Sequence, residues 1–466
     1  MAAPIQPALP MPAPNDRLIT LAAGRWSGPV IRALGLPSPK ALPRETGPLR
    51  AEALAGRQSA LGGTGVTPTL QAAETALRSL GVDLLDAARS SGPNDPGGPS
   101  SPLDVAVFDA TGLATVAALD GLRRFFAPGL GRLRPGGRLL LLARAPDTLA
   151  EPEAAAAAQA CEGFMRSLAK EVGRRGATAN LLWLDPGAEA GLAAPLAFFG
   201  GPRSAYVSGR TLRLAAAPIP AGHGLGGRTA VVTGAARGLG AATAERLAAE
   251  GARVLCVDVP AAGEPLEALA RRLGGQALAL DITAADAGAR LVTALQATGG
   301  VDVVVHNAGI TRDRTLARMS EAEWGAVLAV NLRAVLGLDA ALDAAGLWRP
   351  GAREVCLSSI SGIAGNGGQT NYAASKAALL GYVATRTRQA PAPGMTVNAV
   401  APGFIETEMT ARIPWGIREA GRRMNALSQG GQPQDVAEAI AFLAQPGAAG
   451  VNGQGLRVCG QALLGA

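Results

Sequence analysis

From Arg228 onward, short Val-rich runs alternate with stretches whose apolar residues recur at helical spacing. RTAVVTG, RVLCVDV, ALALDI and VDVVVHNAG read as strands, with helices over 238–251 and 265–273 and another ahead of VDVVVHNAG. REVCLSS, MTVNAVAPG and QGLRVCG supply further strands. Nearly continuous apolar strands separated by amphipathic helices predict a parallel sheet covered on both faces, a doubly wound α/β domain of Rossmann type. No run reaches the length of a membrane span.

The first half repeats this pattern more faintly. DVAVFDATG at Asp104 matches DVVVHNAG at Asp302, RPGGRLLLLAR at Arg134 matches RPGAREVCLSS at Arg349, and VSGRTLRL at Val207 matches VNGQGLRV at Val451. Collinear matches in one order indicate a tandem duplication and a similar fold. The stretch from Ala154 overlays YAASKAALLGY but puts Ala154 on Tyr372, Ala158 on Lys376 and, through the RPG alignment, Arg144 on Ser359. GGTGVTP at Gly62 carries glycines with no clear strand before it. The Pro/Gly-rich stretch 217–227 divides the halves. The expected organisation is a tail (1–15), a degenerate flavodoxin/Rossmann-like domain without a cofactor site (16–216), a linker (217–227) and a catalytic Rossmann domain (228–466), with a loop at Ser90–Pro102.

Composition narrows the function classes. The 466 residues suit two domains. The net charge of +7 comes from arginines spread along both halves, with 3% aromatics and no zinc or RNA-binding spacing, so no nucleic-acid partner is expected. Cys161, Cys256, Cys356 and Cys459 lack CxxC pairing and read as buried thiols, with no metal site. The N-terminus does not read as a signal peptide, and a cytoplasmic protein is expected. The only lysines are Lys40, Lys170 and Lys376, and the only tyrosines Tyr206, Tyr372 and Tyr382.

Two constellations carry chemistry. In TGAARGLG, Gly234, Gly238 and Gly240 let the backbone approach a pyrophosphate at a helix N-terminus, although a tight strand-to-helix turn needs the same glycines. Asp258 ends the next strand, 24 residues beyond Gly234, where a carboxylate accepts from adenosine ribose hydroxyls and repels a 2′-phosphate. That favours NADH over NADPH. Arg237 pulls toward a phosphate, or else faces solvent. The second constellation is Ser359, Tyr372 and Lys376. Residues four apart share a helix face, so an ammonium beside the phenol would lower its pKa and let it protonate a carbonyl.

TGxxxGxG, HNAG, VNL, a serine thirteen residues before YxxxK, and APG, in this order over 228–466, resemble the short-chain dehydrogenase/reductases. The resemblance implies Tyr372 as proton donor, Lys376 on the nicotinamide ribose, Ser359 on the substrate carbonyl and Asn331 anchoring a relay water. It further implies a cofactor lined by Gly234, Arg237, Gly238, Leu239, Gly240, Asp258, Asp281, Ile282, Asn307, Ala308, Gly309, Tyr372, Lys376, Pro402, Gly403, Ile405 and Thr407. His306 departs from the family's usual Asn and reads as a polar strand end. GNGGQTNYAASK and APGFIETEMT resemble the bacterial 3-oxoacyl-[acyl-carrier-protein] reductases, and the long chain their high-molecular-weight two-domain branch. The implied reaction is NADH-dependent reduction of 3-oxoacyl thioesters of acyl-carrier protein or coenzyme A in fatty acid metabolism, by a homodimer. Arg412, Arg418, Arg422 and Arg423 would then form a cationic rim for the carrier, or a solvated basic helix. A dehydrogenase of a sugar, polyol or ring alcohol and a non-catalytic NADH-binding protein are the alternatives.

Overall fold

A computed structural model describes residues 16–33, 38–85, 101–220, 222–411 and 413–462. The expected tail, Arg412 and most of the Ser90–Pro102 loop lie outside these residues. The strands form two all-parallel sheets. The first contains β1 (Gln58–Gly63), β2 (Asp83–Leu85), β3 (Leu103–Asp109), β4 (Leu133–Arg144), β5 (Thr178–Leu184) and β6 (Arg210–Leu214), in the order β2-β1-β3-β4-β5-β6. The second contains β7 (Thr229–Thr233), β8 (Arg253–Asp258), β9 (Gln276–Ala279), β10 (Val301–His306), β11 (Trp348–Leu357), β12 (Thr396–Pro402) and β13 (Gly455–Val458), in the order β13-β12-β11-β10-β7-β8-β9. The second order is that of a doubly wound dinucleotide-binding sheet, and the first is flavodoxin-like, having no counterpart of β9. β7, β10 and β12 are buried along their whole length, which explains their unbroken apolar runs.

The repeat extends to individual hydrogen bonds. Asn180 Nδ2 donates to Val207 O at 3.0 Å, and Asn398 Nδ2 donates to the matching Val451 O at 2.8 Å. Buried Arg138 donates through Nε to Gly201 O at 2.9 Å, as Arg353 does to Gln445 O at 3.4 Å. Asp104 accepts from the backbone of Gln58 and Asp302 from that of Thr229, each also meeting the arginine of its RPG motif. These polar clasps fix strand ends that apolar packing alone would let slide.

The halves meet about a local pseudo-twofold. Phe198 and Phe442, which coincide when VSGRTLRL is laid on VNGQGLRV, stack at 4.5 Å with rings 6° from parallel. Alongside, Ala215 N donates to Gly450 O and Gly460 N to Tyr206 O. One apolar cluster runs from Leu54, Leu77 and Val105 through Phe198 and Phe442 to Val232 and Ala244, so the halves share a core.

Two expectations need correction. A strand, β1, does precede GGTGVTP, and a helix, Pro68–Ser79, follows it. QSALGG lacks β-branched residues and is mostly half-buried, so only pairing with β2 and β3 makes it a strand. The helical run Glu321–Ala344 is long and apolar enough to cross a membrane by length and composition. It packs instead on the helices Ala287–Gln296 and Thr370–Arg386. His306 does end β10, as expected, and it also belongs to a buried ionic network. All four cysteines are buried and free.

Candidate active site

The site lies at the carboxyl ends of β7, β8, β10, β11 and β12, where an open parallel sheet binds ligands at the reversal of strand order. Gly234 (φ 66°) and Gly238 (φ 59°) occupy left-handed conformations in the turn after β7. A Cβ at Gly234 would lie 2.9 Å from Ala308 Cα, and one at Gly240 would strike Gly234 O, whereas around Gly238 there is open space. The helix Gly238–Ala249 begins after exposed Arg237 with no side-chain cap, leaving first-turn amides for an anion. Asn307 ties the turn down, donating through Nδ2 to Thr233 O at 2.9 Å and Gly234 O at 3.0 Å. Thr233 Oγ1 accepts from the amides of Asn307 and Ala308. This cradle fits a dinucleotide pyrophosphate.

Asp258 accepts from Ala236 N at 2.9 Å and Val259 N at 2.8 Å, so it braces the glycine turn and keeps lone pairs for a ribose. Asp281 is exposed, and bonds from the Thr283 hydroxyl and amide hold its carboxyl below the usual range. Neighbouring Ile282 is buried, and Leu239 packs partly buried on the core. At the far wall, β12 ends at Pro402. Gly403 N donates to Val458 O, and a Cβ there would lie 2.6 Å from Cys459 Cβ. Ile405 is buried and bridges to Gly431, and Thr407 is engaged with Thr410.

The helix Thr370–Arg386 puts Tyr372 and Lys376 on one face, the Lys376 ammonium 5.8 Å from the phenol ring centroid. Lys376 is buried and donates to Leu357 O at 2.6 Å. Burial pulls its pKa down to about 8. Burial also raises the Tyr372 pKa, with a hydrogen bond from Ser359 opposing and Asp313 reinforcing the rise. This reverses the expected lowering, because Lys376 bonds the Leu357 carbonyl and desolvation dominates at the phenol. Asn331 is fully buried in the π-helical turn Ala329–Arg333, a distortion frequent at functional sites. Its Oδ1 accepts from Ile310 N at 2.8 Å, and its Nδ2 donates to Ile310 O and Ser375 Oγ. A Cβ on Gly309 would lie 3.3 Å from both Asn331 Oδ1 and Lys376 Nζ, so glycine keeps that corner open.

Several supports escaped the sequence reading. Ser358 Oγ donates to Lys376 O at 2.8 Å, and Asn371 Nδ2 reaches Arg312 O and Glu323 O. Under the site, His306 Nε2 lies 2.9 Å from Asp339 Oδ1, which neighbours Tyr382 Oη bonded to Asp339 Oδ2 at 2.6 Å. Arg386 joins Glu354 at 2.9 Å and Asp343 at 2.8 Å. The buried triad His306, Asp339 and Glu354 has the spacing of metal ligands, but Arg386 is the cation there. The expected cationic rim also changes. Arg422 is buried against Glu406 and Glu419, and Arg423 is paired with Asp16 and Glu419, so neither offers its charge to a carrier.

In the first half the equivalent turn is closed. Thr67 caps its helix by accepting from Leu70 N, and Pro68 removes an amide. Asp109, at the position of Asn307, is buried and takes bonds from the Thr67 hydroxyl and from Thr111. A carboxylate there repels a pyrophosphate.

A doubly wound sheet with a glycine turn and a Ser-Tyr-Lys-Asn cluster at its carboxyl edge defines a nicotinamide-dependent oxidoreductase, and the chain belongs to the short-chain dehydrogenase/reductase superfamily. A family profile described as Enoyl-(Acyl carrier protein) reductase matches residues 234–460. The 3-oxoacyl-[acyl-carrier-protein] reductase FabG of Vibrio cholerae is 40% identical over 237 residues, covering 51% of this chain and 97% of that protein. FabG of Escherichia coli is 40% identical over 237 residues (50% and 96%), and that of Thermotoga maritima 39% over 242 residues (51% and 98%). A crystal structure titled short-chain dehydrogenase/reductase SDR:Glucose/ribitol dehydrogenase, from Brucella melitensis, is 31% identical with a TM-score of 0.49, over 52% of this chain and 98% of that one.

Proposed function

We propose that the second half reduces 3-oxoacyl thioesters to 3-hydroxyacyl thioesters, using NADH, with acyl-carrier protein or coenzyme A as carrier. The observation that carries this reading is the convergence of Ser359, Tyr372, Lys376 and Asn331 in a chain half 40% identical to 3-oxoacyl-[acyl-carrier-protein] reductases. The glycine turn and Asp258 would hold the cofactor, which when bound would supply hydride to the 3-carbonyl carbon. Ser359 orients the carbonyl oxygen and Tyr372 gives it a proton. Lys376, one helical turn from Tyr372, has a pKa low enough to pass a proton back toward the phenolate near neutral pH. Asp258 supports NADH, because it would face the 2′-phosphate of NADPH. Exposed Met409, Trp415 and Ile417, on the segment that leaves β12 beside Ser359, suit an acyl substrate. We take the reaction to be cytoplasmic, which the four free thiols support. The first half serves as a body without cofactor, and two chains form the working dimer.

The test is NADH absorbance with acetoacetyl-CoA. Oxidation that depends on the thioester supports the reading. NADH binding with no oxidation by any thioester, or turnover confined to polyols, overturns it.

A further inference from the structure

The segment 404–431 leaves the sheet beside the catalytic serine, where Ile360 N donates to Pro402 O at 3.0 Å. Its back rests on the first half of the chain. Tyr206, fully buried, donates through its hydroxyl to Gln429 O at 2.9 Å and lies 3.4 Å from Phe404 O, touching both ends of the segment. Gly173 approaches Ala426 so closely that a Cβ would strike its carbonyl. Lys40 O accepts from Gln429 Nε2 at 2.8 Å. At the other flank, buried Asp16 takes two bonds from Arg423, at 2.6 and 2.7 Å, while Arg423 also donates to Ser428 O. Ser428 is one of two non-glycine residues with positive φ among the described residues, at 52°. A serine holds that conformation only where its surroundings over-determine it.

We propose that segment 404–431 covers the substrate and that the first half positions it, with Tyr206 fixing its two ends and Asp16 its flank. On the reading that the second half takes acyl thioesters, Tyr206 and Asp16 are positioning residues that set thioester affinity without touching substrate or cofactor. The duplicated half thus lost its chemistry and kept a structural task that a free-standing catalytic half would leave undone.

The experiment uses the full-length chain. Tyr206→Phe removes one oxygen from a buried site, and Asp16→Asn removes a charge while keeping shape. Each should speed hydrogen–deuterium exchange at amides of 404–431 at least tenfold. Each should also raise KM for acetoacetyl-CoA threefold to thirtyfold, with the NADH dissociation constant within twofold of the parent. Leu139→Ala, in the first-half core away from this contact, should lower Tm without changing KM. Unchanged exchange in Tyr206→Phe overturns the proposal, as does an equal rise in KM in Leu139→Ala. The exchange measurement needs no substrate. Faster exchange in the variants of a parent protein inert to thioesters would therefore keep the clasp and reject the substrate reading alone.

Discussion

Lys376 is a cation in a place that resists cations. It is buried, and the only hydrogen bond its ammonium makes among the described residues is to Leu357 O. Its pKa falls from 10.5 to about 8, so the unfolded chain binds the proton more tightly. Folding therefore loses stability below about pH 8, and the loss is relieved as pH rises toward 10.5. Lys376→Met should abolish turnover and raise Tm at pH 7. The gain, on the order of 1–3 kcal/mol, should shrink between pH 8 and 10.5. A variant less stable than the parent at pH 7 would show that the ammonium is held by more than one carbonyl. Tyr372→Phe removes the proposed proton donor without altering pocket shape, so NADH binding should stay near the parent value and turnover should fall at least a thousandfold. Activity within tenfold would refute the assignment. Asp258 braces Ala236 and is the proposed ribose ligand, so Asp258→Ala should weaken NADH by roughly tenfold and shift relative preference toward NADPH. A parent that already prefers NADPH would show that Arg237 dominates.

Among the elements, the buried network joins the four that carry the candidate site residues. His306 ends the strand before Asn307, Asp339 lies two turns beyond Asn331, Arg386 shares a helix with Tyr372, and Glu354 lies on β11, which ends two residues before Ser359. Burial lifts Glu354 to about 8, while Asp339 and Arg386 hold the His306 and Asp343 side of the network in ion pairs. Arg386→Met would leave three carboxyl groups without their guanidinium and should cost about 3–5 kcal/mol in chemical denaturation. A loss under 1 kcal/mol would mean that protonation of Glu354 suffices. Little of this was legible in the sequence. The glycine turn, Asp258 and the Tyr-Lys pair announce themselves because their chemistry depends on local spacing. Ion pairs and hydrogen bonds between residues 32 to 43 positions apart depend on which elements become neighbours. The same reason hid β1, whose strand character comes from its partners, and the engagement of Arg422 and Arg423, which look free on a basic helix. The duplication was legible because it preserves apolar order, and the matched clasps of Asn180 and Asn398 follow from it.

For the whole molecule, the shared core decides what the first half is worth. The helix Pro433–Ala444 is buried over nearly its whole length, with Phe442 on Phe198 and Phe199. Asp435 is paired with Arg44, and Glu438 with both Arg203 and Arg246, so two buried carboxylates look to the first half for cations. A chain beginning near Gly227 would expose that aromatic face and leave Asp435 unpaired, which predicts aggregation or a large loss of activity rather than a free-standing enzyme. The closed turn at Thr67, with the Asp109 carboxylate where Asn307 stands in the working half, predicts that the full chain binds one NADH in calorimetric titration. If the fused half stands in for a neighbouring subunit, its pseudo-twofold already occupies one face of the catalytic half. Association is then left to other surfaces, and closed twofold symmetry yields a dimer of four Rossmann-like bodies. The helix Glu321–Ala344 leaves Leu336 and Trp324 exposed on such a surface. Light scattering should therefore give twice the chain mass, and Leu336→Glu should give a monomer that still binds one NADH. Two cofactors per chain would reopen the first half as a site, and a dimer unaffected by Leu336→Glu would move the interface elsewhere.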